Sequence, residues 1–372
     1  MTTPPAADRL SDLIDVHARP LVTEGVAPAV GAALIRGDDE AVLAIGRCGG
    51  DDGPPADGRT VFEVGSLSKT FTALLLAVMA AQGDVAPADP LDAYLPPGAA
   101  PRRSGPPATL TDLATHTSGL PRLPRNLFPR AAARWLSDPY ARYSRDDLYR
   151  ATGRARLKRS DPPVPRYSTF GTGLLGQVLA DSAGTGYPAL LADRVLAPLG
   201  MRDSDGGAPP GAGAAGGAPD PGPQGGPGRS EAVGHRRGRP VGPWHFDALA
   251  GAGAVRCTPA DMLLYLRAHL DPAAIGGALP EAVAAVRRSY HPLGGKAGAK
   301  GTTIGLAWNQ RATRGHTLYW HTGATGGFTA FAGFSPTAGA GVAVLANATP
   351  VRGQPVLRAA RRLFRAAVFP DS

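Results

Sequence analysis

Strand-like runs occur only near the two ends of this chain, and that distribution constrains its fold more than any other feature of the sequence. Residues 29–35 (AVGAALI) and 41–45 (AVLAI) flank a Gly-Asp-Asp turn that suits a hairpin. Four further runs, at 303–308, 317–321, 328–334 and 341–346, follow one another with short turns, the spacing of an antiparallel meander. Amphipathic helices bound both groups. One covers 7–25, with Leu10, Leu13 and Ile14 at helical spacing; the other covers 354–368, where Val356, Leu357, Ala360, Leu363, Phe364 and Ala367 make one apolar stripe. Between the ends lie a strongly apolar helix at 66–82, helical patches at 110–115, 145–152, 173–182 and 187–195 set off by Pro and Gly, and a further helix at 259–269. The two ends most simply share one sheet with the helical part inserted between them. The expectation is an α/β (α+β) chain: an antiparallel sheet flanked by helices, one domain over 1–372, with a sheet half of about 1–65 and 240–372 and a helical half of about 66–205.

Composition narrows the functional classes. With 372 residues, 43% apolar and 19% charged, the chain can bury a sizeable core and is neither fibrous nor wholly disordered. Its longest apolar run, 73–81, is about half the ~20 residues a membrane span needs, so no membrane partner is expected. The first twenty residues carry acids and no apolar stretch of the kind an export signal has, which points to the cytoplasm. Two cysteines, Cys48 and Cys257, without CxxC spacing read as core thiols, and His235 and His245 lack metal spacing; no metal and no cofactor is expected. The formal charge is +9, yet the cations are nearly all Arg spread along the chain, with no basic motif or interleaved aromatics, so nucleic acid is not expected as a partner. Residues 206–229 are almost entirely Gly, Pro and Ala and cannot offset their ordering entropy by burial, the composition of a disordered surface insertion. Oligomeric state stays open.

Chemistry concentrates in 61–77 (VFEVGSLSKTFTALLLA), where Lys69 follows Ser66 by three residues. If Ser66 opens the helix, Lys69 lies one turn on along the same face, within reach of the serine hydroxyl. Serine is a weak nucleophile until its proton is taken, and a lysine held in a desolvated cleft can take it. The helix N-terminus adds positive backbone potential where an anionic intermediate would form. In isolation the spacing fits a capping serine and a solvated lysine better than a catalytic pair.

Three stretches in order change that balance. The 61–77 segment resembles the active-site helix of class C β-lactamases and their relatives, the penicillin-binding-type serine hydrolases, which include D-alanyl-D-alanine carboxypeptidases, esterases and transacylases. Residues 110–121 (LTDLATHTSGLP) are similar to a loop of that family, and 321–328 (HTGATGGF) resemble its K-T-G or H-T-G strand. Weaker likenesses at 196–201 (LAPLGM) and 251–261 (GAGAVRCTPAD) extend the resemblance over about 7–368. It implies the β-lactamase/transpeptidase-like fold. It also implies that Tyr167, opening Tyr167-Ser168-Thr169 where the family has Y-x-N, is the second proton-transfer group, with Lys69 beside it lowering its pKa or sharing the proton, either of the two being the base for Ser66. The amides of Ser66 and Ala324 would form an oxyanion hole, and Thr169, His321, Thr322 and Gly323 would meet substrate; Gly323, Gly326 and Gly327 would let it approach the strand edge.

Two departures bear on substrate. Class C β-lactamases carry Lys where His321 stands and Asn where Thr169 stands. A mostly neutral histidine offers a substrate carboxylate no permanent cation, and a threonine lacks the paired donor and acceptor of an amide. The expected activity is therefore a serine hydrolase acting through a Ser66 acyl-enzyme on a small-molecule or peptide-like ester, amide or lactam. The alternatives are a transacylase of natural-product biosynthesis and a binding or regulatory protein that keeps the fold without catalysis. His116 reads as structural in its loop, and Trp244 and Trp308 as core, with the lining of a cleft as the alternative.

Overall fold

The computed structural model describes residues 6–50, 53–135, 137–207, 229–294 and 301–370. Most of the Gly/Pro-rich stretch expected to be a disordered insertion, at 208–228, lies outside them.

The central feature is an eight-stranded antiparallel sheet that joins the two ends of the chain. In chain order its strands are β1 (Ala29–Arg36), β2 (Asp39–Gly46), β7 (His291–Pro292), β8 (Thr302–Ile304), β9 (Asn309–Thr313), β10 (His316–Ala324), β11 (Thr329–Ser335) and β12 (Ala340–Ala346), with β3 to β6 in two small ribbons elsewhere. Their spatial order is β2-β1-β12-β11-β10-β9-β8-β7. The N-terminal hairpin thus docks on the last strand of the C-terminal meander, with Val30 opposite Ala346 and Arg36 opposite Ala340. The ribbons pair β3 (Phe62–Glu63) with β6 (Arg256–Cys257), and β4 (Gly234–Arg236) with β5 (Arg239–Val241).

Helices cover both faces of the sheet, which is why β11 and β12 are buried along their whole length and read as near-continuous apolar runs. On one face α1 (Ala6–Thr23) and α10 (Pro355–Val368) pack Leu10, Ile14, Leu357 and Leu363 against Val30, Leu34, Val342 and Val344. The other face, carrying Ala33, Ile35, Ala332 and Phe334, meets α8 (Pro259–Leu270) through Met262, Tyr265 and Leu266. Behind α8 lies α2 (Ser68–Ala81), buried from Ser68 to Met79, and around it the helical half: α3 (Leu110–Ala114), α4 (Leu127–Ala131), α5 (Arg145–Arg154), α6 (Thr169–Ser182) and α7 (Tyr187–Leu191), with α9 (Leu279–Arg287) on its flank.

The strand expected over 303–308 is broken. β8 ends at Ile304, Ala307 takes φ +63°, and Trp308 turns wholly into the core against Tyr265 and Phe334 before β9 begins. Cys48 and Cys257 are buried free thiols, as expected. No helix among the described residues is long and apolar enough to cross a membrane.

Candidate active site

The site forms where β3 feeds α2. Gly65 adopts φ +51°, a conformation that favours glycine, and the chain makes a 3₁₀ turn over Gly65–Leu67 before α2 starts at Ser68. Ser66 therefore precedes the helix instead of opening it. The Ser68 hydroxyl accepts the Val255 N–H at 3.0 Å and ties the start of the helix to the segment before β6. The offset leaves the one-turn spacing intact. Between Thr60 and Met79 every residue is buried except Ser66, which is partly exposed. Lys69 is fully buried, and its ammonium donates to Ser66 Oγ at 3.2 Å and to the Ala252 carbonyl at 2.6 Å, both neutral oxygens.

The end of β10 closes on this turn. A methyl group on Gly65 would lie 2.5 Å from the Ala324 carbonyl oxygen and 2.7 Å from its nitrogen; one on Gly323 would lie 1.9 Å from the Val64 carbonyl oxygen. Two absent side chains thus let the backbone of Ala324, an exposed residue, stand against the backbone that carries Ser66. The strand glycines also make room within the protein itself. Gly323 admits the serine turn, Gly326 the Trp244 indole, and Gly327 the backbone of Gly234. Thr322 remains partly exposed beside Ala324, while His321 is buried. Burial first, then the Lys69 charge, pushes the His321 imidazole down to about 3, so it is neutral at ordinary pH.

The third wall comes from the helical half. Tyr167 is 38% exposed, with the Lys69 ammonium 5.1 Å from its ring centre and the Arg122 guanidinium 5.5 Å from it. Ser168 caps α6 by accepting the Gly171 N–H at 2.8 Å, which makes Thr169 the first, buried residue of that helix. His116, expected to be only structural, does both: it accepts the Ser168 N–H at 3.3 Å, and its ring lies 4.8 Å from that of Tyr167. Burial, then Lys69 and His321, holds it neutral with a pKa of about 3. Tyr140 is a second residue the sequence left unmarked. Its hydroxyl is pushed up to about 12 by burial and then by Tyr167, and its ring stacks on Phe246 at 4.7 Å and meets Trp244 at 5.5 Å. Trp244, expected in the core, is a half-buried member of this aromatic wall. His245 pairs with Asp138 at 2.7 Å, His235 meets the Val233 carbonyl, and no metal-binding group of His, Cys, Asp or Glu occurs among the described residues.

A partly exposed serine, a buried lysine one turn on, a tyrosine over the lysine and a strand-end amide beside the serine define the serine-hydrolase class of this sheet architecture. The chain belongs to the Beta-lactamase family, whose model matches residues 14–366. It is 26% identical to a Beta-lactamase of Pseudomonas fluorescens over 379 residues, covering 92% of this chain and 94% of that one. It is 32% identical to the D-alanyl-D-alanine-carboxypeptidase/endopeptidase AmpH of Escherichia coli over 198 residues, so this match spans only 49% of AmpH and 52% of the chain. A class C beta-lactamase structure superposes with a TM-score of 0.78 at 20% identity over 97% of both chains, a likeness of fold.

Proposed function

We propose that this member of the family cleaves or transfers an acyl group through a covalent intermediate on Ser66. The observation that carries the reading is the buried Lys69 ammonium 3.2 Å from Ser66 Oγ with the Tyr167 ring over it. In the first step the Ser66 oxygen bonds to the carbonyl carbon of an ester, amide or lactam while its proton passes to whichever of Lys69 and Tyr167 is unprotonated, the other stabilising the charge that results. The Ser66 and Ala324 amides hold the negative oxygen. The bond to the leaving group then breaks, and the leaving group receives the proton. Water, or an amine or alcohol that outcompetes it, attacks the acyl-serine in the same way and restores the enzyme. Neutral His321 on the β10 wall favours esters without a carboxylate at that position over penicillin-type lactams.

The test is intact-mass measurement after brief exposure to an activated ester or a penicillin. An adduct of the acyl mass on the natural protein and none on Ser66→Ala is expected, with faster labelling by the ester. Equal adducts on both proteins, or natural turnover by Ser66→Ala, would overturn the reading; ligand binding without any adduct would make the chain a binding protein. Product analysis with added amines separates hydrolysis from acyl transfer.

A further inference from the structure

Beside Tyr167, on the side away from β10, the helical half encloses an open groove of about 860 Å³. Its lining includes Arg122, Arg125, Arg154, Arg156, Lys158 and Arg166, and not one carboxylate. Of the nearby acids, Asp161 is exposed and outside the lining, and Asp147 and Asp112 are engaged elsewhere. Asp147 faces away to Arg130 and Arg150, at 2.7 and 2.6 Å, and Asp112 pairs with Arg159 at 2.9 Å. None of the six groove cations makes an ion pair among the described residues.

These cations are not the polar face of one helix. They come from three stretches: the loop after α3, the end of α5 with its exit, and the residues leading into α6. Backbone hydrogen bonds sew the stretches together, from Lys158 N–H to the Gly119 carbonyl at 3.2 Å, Arg166 N–H to His116 at 2.7 Å, and Phe170 N–H to Arg122 at 3.1 Å. A fold that gathers six like charges from separate segments into one concavity keeps their mutual repulsion unless an anion relieves it. The concave wall concentrates their field, and arginine forks match the planar oxygens of carboxylates and phosphates. The apolar floor, with Leu120, Pro121 and Phe170, can take the body of such a molecule.

We propose that this groove is the substrate's anion subsite: the molecule acylating Ser66, or its leaving group, carries a carboxylate or phosphate remote from the reacting carbonyl and seats it among these arginines. The proposal deepens the acyl-transfer reading and rests on it. It places the charge recognition on the helical half, where Arg122 spans from groove to Tyr167, and not on the β10 wall.

The experiment compares aryl esters of one acyl chain ending in a methyl, a carboxylate or a phosphate, on the natural protein, on Arg125→Ala/Arg154→Ala/Arg156→Ala, and on the lysine-substituted counterpart. All three positions are exposed and none touches Tyr167. Natural protein should favour an anionic ester by about tenfold or more in kcat/KM, mainly through KM, with the preference shrinking as salt rises. The alanine variant should lose that preference while keeping its rate on the methyl ester, and the lysine variant should keep much of it. Calorimetric titration with citrate and with inorganic pyrophosphate, lost in the alanine variant, reads the groove independently of activity and separates carboxylate from phosphate. No preference among the esters together with titrations that the alanine substitutions leave unchanged would overturn the subsite. Failure to turn over any ester would sink the acyl-transfer reading instead, and the titrations alone would then decide whether the groove binds anions.

Discussion

At Gly323 a single methyl group would meet the Val64 carbonyl at 1.9 Å, so the closeness of the β10 end to the serine turn depends on one missing side chain. Gly323→Ala should therefore move Ala324 away from Ser66 and lower kcat on an activated ester by about 10²-fold, the scale of losing one oxyanion donor. Circular dichroism should show the sheet retained; an unchanged kcat would mean that Ala324 takes no part in the hole. Tyr167→Phe is the complementary test. It keeps the ring over Lys69 and removes only the hydroxyl, so kcat should fall by about 10²–10⁴-fold with little change in thermal midpoint. At this scale Ser66 and Lys69 were legible as candidates because their spacing survives any helix-like turn, and Tyr167 only through the resemblance of Tyr167-Ser168-Thr169 to the family's Y-x-N. His116 and Tyr140 were not. Their place beside Tyr167 depends on how separate loops converge, His116 lying 52 residues before Ser168, whose N–H it accepts, and no local pattern at either position signals it.

Among the elements, most helices and the five longest strands could be read from their apolar patterns, while α4 and α9 were not. β9 escaped because its sequence, Asn309 to Thr313, is polar and buried only at Gln310, so it pairs through its backbone without an apolar signature. The exact join of the two chain ends was equally hidden, and Asn347 shows why. This fully buried side chain accepts the Ala29 N–H at 2.7 Å and donates to the Cys48 carbonyl at 3.2 Å and the Val233 carbonyl at 3.0 Å, tying β1 and the segments after β2 and before β4 to the end of β12. Asn347→Leu removes all three bonds and should lower the unfolding free energy by about 2 kcal/mol or more, measured by urea titration. A loss of a few tenths would show that the join is held by the strand ladder alone.

For the molecule as a whole, buried histidines set the acid limit. His116, His269 and His321 are each held down at about 3, chiefly by burial. The unfolded chain, with imidazoles near 6.5, takes up these protons first as pH falls. Their contribution to stability is therefore complete above about pH 6.5 and is lost progressively toward pH 3, each group adding about 1.4 kcal/mol per pH unit to the slope. His269, in an aromatic cage of Tyr265, Trp308 and Phe334, lies apart from Ser66. His269→Phe should flatten the fall of thermal midpoint between pH 6.5 and 4 while leaving ester turnover at pH 7.5 unchanged, and an identical slope would assign the acid lability elsewhere. The sequence alone determined the periodicities, the helix and strand identities they dictate, and the serine and lysine one turn apart, since all of these arise from contacts within a few residues. Only the tertiary structure decided that β10 reaches the serine, that neutral His116 and His321 flank Lys69, and that six cations share one groove. Those relations join segments far apart in the chain, and their distances are set by how the sheet and the helical half pack against each other.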